Sequence, residues 1–217
     1  MTTFIILAAG RGSRIGRVGD FLHKSLVPLD NRAVLSHLID LAPSNARIVI
    51  CAGHRSAQVR EYVALAHPCV DMTIIDVPGW DQPGAGPGAS LLAARPFITG
   101  DLVFTSCDTL WQRDLSLWHI DAGSWAAVAP VPAGTQPERW CRMRVSIDDK
   151  VSLILDKKLG MAGLAYVGLA HIAAADLDVF WNGVATGNTV ENERQVTGGL
   201  AALVEHGRLD ARRIDWT

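Results

Sequence analysis

The stretch Thr3-Phe4-Ile5-Ile6-Leu7-Ala8-Ala9-Gly10-Arg11-Gly12-Ser13-Arg14 decides the fold, because its apolar run stops abruptly at two glycines. Such a run is typical of a buried strand that delivers its carboxyl end to a ligand. Gly10 and Gly12 let the backbone approach a bulky anion, with successive N–H groups pointing at it. Arg14 and Lys24 add two cations nearby. The stretch therefore predicts a site for a polyanion such as a triphosphate.

Strands and helices alternate after this first strand, and the pattern predicts an α/β fold with a doubly wound, mostly parallel, Rossmann-like sheet. We expect strands at 47–52, 70–77, 102–107, 125–132, 140–147, 151–155 and 164–172, and helices at 33–41, 56–66, 173–181 and 195–206. Ser56 is a plausible cap for the second helix. Asp148 and Asp149 are expected at a hairpin tip.

Composition sets the broad class. The chain has 217 residues, 49% apolar and 19% charged, with a net charge of −2 and no basic run. We therefore expect one domain, 1–217, that binds neither nucleic acid nor an anionic membrane. The cysteines lack C-x-x-C spacing and the first apolar run is too short for a leader, so we expect a reduced, cytoplasmic protein. The histidines lack zinc-site spacing.

The first stretch, followed by Lys24 and Pro28-Leu29, resembles the signature of nucleotidyltransferases that couple a nucleoside triphosphate to a sugar 1-phosphate. The family's usual Pro-Lys is His23-Lys24 here, a form also similar to phosphocholine cytidylyltransferases. With the later motifs, the resemblance covers nearly the whole chain. It implies the nucleotidyltransferase type of sheet, with a nucleotide-binding half at about 1–110 and an acceptor-binding half at about 111–217.

Two other interpretations of the glycines stay open. Gly10, Gly12 and Gly16 also match a dinucleotide-binding fingerprint, which should have an acidic residue at the end of the second strand. That strand, Arg47–Gly53, ends without Asp or Glu. The other interpretation is a glycine-rich turn that holds no ligand.

The resemblance implies a nucleotide-binding set of nine residues: Leu7, Ala8, Ala9, Gly10, Arg11, Gly12, Ser13, Gly53 and Gly88. Gly88 ends a loop dense in glycine and proline, residues 78–88, where small residues entering a helix leave room for a flat ring. Composition alone favours a mobile surface loop. The place of Gly88 after the third strand favours contact with the base.

Asp108 stands at the end of the predicted strand 102–107, where a carboxylate is well placed to hold a hard cation. In the resembling family the acid at this place binds Mg²⁺, so the resemblance implies Mg²⁺ on Asp108 and a catalytic set of Arg14, Lys24 and Asp108. The alternative is that Asp108 caps a following helix. The family's second metal-binding Asp lies in a later Trp-x-Asp-x-Gly-Thr strand. This sequence stops at Trp216-Thr217, and Asp215 does not match, so we expect half of the metal cage.

The acceptor side is inferred from three places. Asp156-Lys157 stands where the family has Glu-Lys-Pro, with Lys158 in place of the proline, and a solvated surface pair is the alternative. Glu193 resembles the Glu of a Gly-Glu-x-x-x-Thr segment, or is a plain acid at a helix start. The resemblance also assigns Gly168 to the acceptor.

The implied reaction transfers a nucleoside monophosphate from the triphosphate to a phosphorylated small-molecule acceptor and releases pyrophosphate. Ala8-Ala9 weakly favours a pyrimidine base, while the acceptor and homo-oligomer formation stay undetermined. The alternatives are a non-catalytic, nucleotide-sensing domain, a cytidylyltransferase for a phospho-amino-alcohol, and a glycosyltransferase. The last would need an Asp-x-Asp pair, which Asp108-Thr109-Leu110 lacks.

Overall fold

The structure is a computed structural model that describes residues 1–111, 123–156, 162–187 and 189–214, with only the backbone described for Arg14 and Asp156. Its strands and α-helices follow in chain order: β1 (Thr2–Ala8), β2 (Pro28–Leu29), β3 (Arg32–Ala33), α1 (Val34–Leu41), β4 (Arg47–Ala52), α2 (Ser56–Ala66), β5 (Met72–Asp76), α3 (Pro87–Ala94), β6 (Asp101–Ser106), β7 (Ser124–Ala129), β8 (Cys141–Val145), β9 (Val151–Asp156), β10 (Leu164–Ile172), α4 (Leu177–Thr186), β11 (Thr189–Val190), β12 (Glu193–Arg194), α5 (Thr197–Glu205) and β13 (Leu209–Arg213). No α-helix in these ranges combines the length and apolar character needed to cross a membrane.

Nine of the described strands form one mixed, mostly parallel sheet in the order β13-β7-β10-β6-β1-β4-β5, and β8 joins it through β10 and pairs with β9. The strand pairs β2–β3 and β11–β12 form two small separate sheets. Strands β5, β4, β1 and β6 run parallel, while β10 runs antiparallel between β6 and β7. In β1, Ile5 lies between Val49 of β4 and Phe104 of β6. The predicted doubly wound α/β fold is confirmed.

Strand β1 is apolar throughout because both faces of the sheet are covered. Successive side chains of a strand point to opposite faces. Ile5 and Leu7 pack in one cluster with residues of α3, α4 and α5, and Phe4 and Ile6 pack in the other with residues of α1 and α2. The continuous apolar run is therefore the sequence signature of a strand buried between two layers of helices.

Several boundaries differ from the predictions. Arg55, not Ser56, is the cap of α2; it lies in the left-handed region at φ 50°, and Ser56 is the first helical residue. Helix α5 begins at Thr197 rather than 195, because Glu193 and Arg194 pair with Thr189 and Val190 in a short hairpin. Helix α4 extends to Thr186, five residues beyond its predicted end. The two-residue strands of β2–β3 and β11–β12 were not predicted.

The fold gathers chain segments from both halves of the sequence at one edge of the sheet. The parallel strands β1, β4, β5 and β6 all end there. Strand β10 begins at the same edge, since it runs antiparallel to β6 with Leu169 opposite Thr105. Loops that follow parallel strands at their carboxyl ends form the ligand crevice in sheets of this kind. A ligand-binding site is therefore expected at this edge of the sheet.

Candidate active site

The glycine stretch forms an exposed turn above the end of β1. Gly10 is exposed, and Gly12 adopts φ 69°, a left-handed conformation that favours glycine. A 3₁₀ segment, Ser13–Asp20, follows and contains the backbone of Arg14. A Cβ atom at position 12 would lie 2.9 Å from the Cβ of Lys24. The glycine turn thus rests directly on Lys24, which only a residue without a side chain permits.

Lys24 and Asp108, 84 residues apart in the sequence, form an ion pair at this edge. The distance from Lys24 Nζ to Asp108 Oδ2 is 3.1 Å. The lysine side chain is 16% exposed, whereas the aspartate side chain is 54% exposed. The structure brings together two of the three residues predicted to be catalytic. The Arg14 side chain lies outside the described part.

The charge state of this pair follows from its surroundings. Burial lowers the pKa of the Lys24 ammonium, but Cys107 and Asp108 raise it by more, and the resulting pKa lies above the ordinary value. Burial also raises the pKa of the Cys107 thiol to about 11, so the thiol is neutral at pH 7. Asp108 is therefore the charged neighbour of the Lys24 cation at neutral pH.

Asp108 does not cap a following helix within the described residues. A capping residue is followed directly by helical residues. Residues 109–111 are not helical, and residues 112–122 lie outside the described part. The capping interpretation of Asp108 is therefore wrong for any helix that would start in 109–111.

His23, next to Lys24, is fully buried and uses both ring nitrogens. Its Nε2 lies 2.8 Å from the carbonyl oxygen of Ala8, the last residue of β1. Its Nδ1 accepts a hydrogen bond from the backbone N–H of Ser25 at 3.2 Å and lies 2.8 Å from the Ser25 hydroxyl. Sequence reasoning did not single out His23 as functional, although its replacement of the usual proline was a signal.

Gly53 has a packing reason for being glycine. A Cβ at this position would lie 2.7 Å from the Ala9 carbonyl oxygen and 2.7 Å from Trp80 Cγ. Trp80 is half-buried; its ring centroid lies 5.4 Å from that of His54 and 5.6 Å from Arg11 Cζ. The indole thus covers the carboxyl ends of β1 and β4. Sequence reasoning missed it, although a tryptophan in a loop of glycines and prolines was a signal.

The glycine- and proline-rich loop is tied to the second half of the chain. Gly84 N–H donates to the Asn192 carbonyl at 2.9 Å, and Arg194 N–H donates to the Ala85 carbonyl at 3.0 Å. Gly88 is buried at the start of α3, where a Cβ would lie 2.7 Å from the Gln195 carbonyl oxygen. The loop is therefore anchored, contrary to what composition alone favoured. Contact of Gly88 with a nucleotide stays a prediction.

A cleft of about 460 Å³ opens beside Asp108. Its lining comes from β10, from the segment after β6, and from the residues just before β8 and before α5. It includes the polar and aromatic residues Asp108, Thr109, Trp140, Tyr166 and Gln195, together with Gly168. Gly168 adopts φ 83° where β10 is irregular, and a Cβ there would lie 2.8 Å from Ser106 Oγ. The structure thus places Gly168 in the wall of a cleft that Asp108 shares. The prediction did not include Thr109, Trp140, Tyr166 and Gln195. Gln195 follows Glu193 at an unspecified position of the family's motif, and the other three carry no recognisable motif.

The remaining predicted acceptor residues are placed less completely. Glu193 is exposed on β12, where it accepts a hydrogen bond from Gln195 at 3.2 Å. It precedes α5 by four residues, so the helix-start interpretation is wrong. Asp156 ends β9 opposite Cys141, the neighbour of Trp140, with only its backbone described. Lys157 and Asp215 lie outside the described residues.

Comparison with known proteins decides the family. The sequence model of the MobA-like NTP transferase domain matches residues 4–176, most of the chain. The chain belongs to the MobA-like NTP transferase family. A nucleotidyltransferase domain is therefore present, which agrees with the resemblance in the sequence and sets aside the dinucleotide-binding interpretation.

The individual relatives of this NTP transferase domain share either low sequence identity with it or only part of its length. It is 22% identical over 211 residues to the bifunctional protein GlmU of Methanococcus maripaludis, with 94% of this chain and 47% of the relative aligned. It is 48% identical over 98 residues to GlmU of Burkholderia mallei, covering 43% of this chain and 19% of the relative. The chain spans about half the length of the Methanococcus relative.

A solved structure shares the fold. A putative glucose-1-phosphate thymidylyltransferase from Bacillus anthracis, in complex with sucrose, superimposes with a TM-score of 0.79 at 16% identity. The match covers 99% of this chain and 87% of the other. The NTP transferase domain therefore has the mixed, mostly parallel sheet of a nucleotidyltransferase.

The buried state of His23 predicts how stability depends on pH. Burial lowers the pKa of the ring from 6.5 to about 4; the Ala8 hydrogen bond opposes this shift and the Lys24 charge adds to it. Between these two pH values the unfolded chain binds a proton that the folded chain does not. The free energy of unfolding therefore falls by about 1.4 kcal/mol per pH unit as the pH decreases through this range.

Replacing His23 with Gln should make this dependence shallower by about 1 kcal/mol per pH unit between about pH 6 and pH 5, in urea titrations at several pH values. His67 and His171, whose pKa values are also lowered by burial, contribute equally to both proteins. His206→Gln, at an exposed position, controls for the loss of any histidine. Equal slopes for His23→Gln and wild type would contradict a buried, neutral His23.

Proposed function

We propose that the domain transfers a nucleoside monophosphate from a nucleoside triphosphate to a sugar 1-phosphate and releases pyrophosphate. The observation that carries the proposal is the Lys24–Asp108 pair, with 3.1 Å between Nζ and Oδ2, under the glycine turn and beside a cleft. A cation and a carboxylate at the carboxyl edge of a parallel sheet suit the handling of phosphate groups.

The triphosphate would lie on the glycine turn. N–H groups of Gly10 to Ser13 are available to the leaving β and γ phosphates, because the turn is exposed and its glycines carry no side chain over the backbone. Arg11 lies in the turn near Trp80, and Arg14 lies in the 3₁₀ segment that follows the turn, so both are assigned to the same phosphates. The base would lie against Leu7 to Ala9, Gly53 and the segment that ends in Gly88.

Transfer needs no general base. An anionic oxygen of the acceptor phosphate attacks the α-phosphorus, a new P–O bond forms, and the bond from the α-phosphorus to the bridging oxygen breaks. The bridging oxygen keeps the electron pair and leaves in pyrophosphate. Catalysis is then positioning and neutralisation of charge. We assign the neutralisation at the α-phosphate to Lys24, a cation at neutral pH.

Asp108 fits a magnesium ligand. Its carboxylate is about half exposed at the edge of the cleft, and carboxylate oxygens are what Mg²⁺ prefers. The described residues contain no group of three or more His, Cys, Asp or Glu that could hold a metal ion. Mg²⁺ commonly binds through one or two carboxylates together with substrate phosphates and water. When bound, it would supply positive charge to the phosphate oxygens.

The cleft supports a sugar as the acceptor. Thr109 and Gln195 offer polar groups for hydroxyls, and Trp140 offers an aromatic face. Relatives point the same way, since one solved neighbour is described as a glucose-1-phosphate thymidylyltransferase. Gly168 and Glu193 belong to the same assignment, and Asp156 and Lys157 join it from the sequence alone. A phospho-amino-alcohol is the second candidate, because Trp140 beside Asp108 also suits an organic cation.

The acceptor class is tested by a pyrophosphate-release screen that pairs each of the four nucleoside triphosphates with sugar 1-phosphates, phosphocholine and phosphoethanolamine. We expect release with a sugar 1-phosphate and a pyrimidine triphosphate. Release with only the phospho-amino-alcohols would favour the second candidate. Nucleotide binding without release for any pair would support a non-catalytic domain and contradict the proposal.

Lys24→Ala should lower turnover by about 10²- to 10³-fold, as the loss of a charge-stabilising contact at a reacting group commonly does. Lys150→Ala is a matched control, because it breaks another Lys–Asp ion pair, with Asp210, at an exposed site. Steady-state kinetics would show a large loss only for Lys24→Ala, with both variants melting near the wild-type temperature. Equal turnover of the two variants would remove Lys24 from the mechanism.

Asp108→Asn should raise the Mg²⁺ concentration needed for half-maximal turnover, since a neutral amide replaces a charged oxygen ligand. The matched control is Asp210→Asn, which also removes a carboxylate paired with a lysine. Turnover would be followed by pyrophosphate release across a magnesium titration. An unchanged Mg²⁺ requirement in Asp108→Asn would mean that another group holds the metal.

A further inference from the structure

We propose that His23 is the positioning residue of Lys24: its imidazole ties the Lys24 segment to the last residue of β1 and so fixes where the lysine ammonium lies. The proposal rests on the proposed function, in which Lys24 neutralises charge during transfer. His23 itself is fully buried and contacts neither the cleft lining nor Asp108 in any described hydrogen bond.

The hydrogen bonds of the ring define its tautomer. Nδ1 accepts from the backbone N–H of Ser25 at 3.2 Å, and therefore carries no proton. The proton is then on Nε2, which donates to the carbonyl oxygen of Ala8 at 2.8 Å. The two ring nitrogens thus have different roles, one as an acceptor and one as a donor. Nδ1 caps the 3₁₀ turn Lys24–Leu26, and Nε2 clamps that turn to the end of β1.

The segment before Lys24 is also anchored on its other side. The backbone N–H of His23 donates to Gln58 Oε1 at 2.9 Å, and Gln58 Nε2 donates to the carbonyl of Phe21 at 2.9 Å. Gln58 belongs to α2, which packs on one face of the sheet. The chain from Phe21 to Ser25 is therefore held between a helix and the end of a strand.

A lysine that acts on a phosphate needs such anchoring. Its stem has four rotatable carbons and carries roughly 2 kcal/mol of rotamer entropy, so its ammonium is placed only as well as its backbone and packing allow. The Ala8 carbonyl is two residues from Gly10, on the strand that leads into the glycine turn. That strand also pairs with β6, with Leu7 opposite Ser106, two residues before Asp108. The clamp therefore fixes the position of Lys24 relative to β1, the same strand that positions the glycine turn and Asp108.

The experiment separates the clamp from the cap with two amide variants. In His23→Gln the amide nitrogen can reach about as far as Nε2 and donate to the Ala8 carbonyl. In His23→Asn the shorter side chain can accept from Ser25 N–H, as an amide cap does, but cannot reach Ala8. Melting temperatures of both variants show whether each protein is folded. The matched control is His37→Asn, which removes another ring-to-carbonyl hydrogen bond, to Leu29, outside the site.

If the clamp positions Lys24, His23→Gln keeps kcat near the wild-type value, while His23→Asn loses up to about 10²-fold in kcat, the scale of a 1 Å misplacement. KM for the triphosphate should change less than kcat, because the glycine turn still binds the phosphates. The control should behave as wild type. The reverse order, with Asn active and Gln impaired, would show that His23 is only a cap and would overturn the proposal, as would equal kcat in both variants.

The accessibility of Lys24 to acetylation tests its positioning without any measurement of turnover. Lys24 is 16% exposed and paired, so limiting acetic anhydride should acetylate it slowly compared with Lys150, which is 54% exposed. Peptide mass spectrometry should show that Lys24 is acetylated faster in His23→Asn than in the wild type, and at the wild-type rate in His23→Gln. If no pair of triphosphate and acceptor releases pyrophosphate, the proposed function fails, but this labelling still tests the positioning of Lys24. Equal labelling in both amide variants would overturn it.

Ser25→Ala covers the case in which His23→Asn does not fold. This substitution removes the hydroxyl beside Nδ1 and leaves the Nε2 bond to Ala8 in place, at a buried position where alanine fits. The clamp requires kcat and Lys24 labelling near wild type in Ser25→Ala. A large loss of kcat in this variant would show that the Ser25 hydroxyl, and not the bond to Ala8, places Lys24, and the proposal would fall.

Discussion

The pairing of β1 on both of its edges is the constraint on which the rest of the structure depends. Hydrogen bonds to β4 and β6 fix its register, and apolar contacts on both faces fix its depth between the helix layers. A one-residue slip would turn Phe4 and Ile6 into the wrong layer. The glycine turn, the His23 bond at Ala8 and the strand before Asp108 are all placed relative to this strand. The candidate site is thus positioned by a strand whose side chains are buried on both faces of the sheet.

The ion pair at this edge is suited to exchange of partners. Lys24 is mostly shielded from water and needs a counterion, which Asp108 provides. Asp108 itself is half exposed, and an ion pair open to solvent on one side is worth little, about 0 to 1 kcal/mol. A polyanion that brings its own cation can therefore replace the pair at small cost, with the lysine turning to phosphate and the carboxylate to the metal. A deeply buried pair would resist such an exchange.

Sequence reasoning succeeded where an apolar run or the shared edge of parallel strands fixes the outcome, and failed where individual side-chain contacts do. The bounds of β4 and β10 follow from apolar runs, and the meeting of Lys24 and Asp108 follows from the edge that parallel strands share. The burial of His23 and the indole over Gly53 depend on contacts across the sheet. The hairpin that holds Glu193 has strands of two residues, too short for periodicity to reveal. The cap at Arg55 depends on a left-handed backbone conformation, which an arginine in the sequence does not predict.

Glycine shows most clearly why residue type alone does not assign a role. Gly88 was assigned to a nucleotide, yet the space beside its Cα is filled by the Gln195 backbone, so packing by itself explains the glycine. That same contact, with the two backbone hydrogen bonds that join 84–85 to 192–194, ties the loop after β5 to the hairpin before α5. The proposed base loop and the proposed acceptor residue Glu193 are then parts of one hydrogen-bonded unit. A displacement of one segment that keeps these backbone hydrogen bonds must carry the other segment with it.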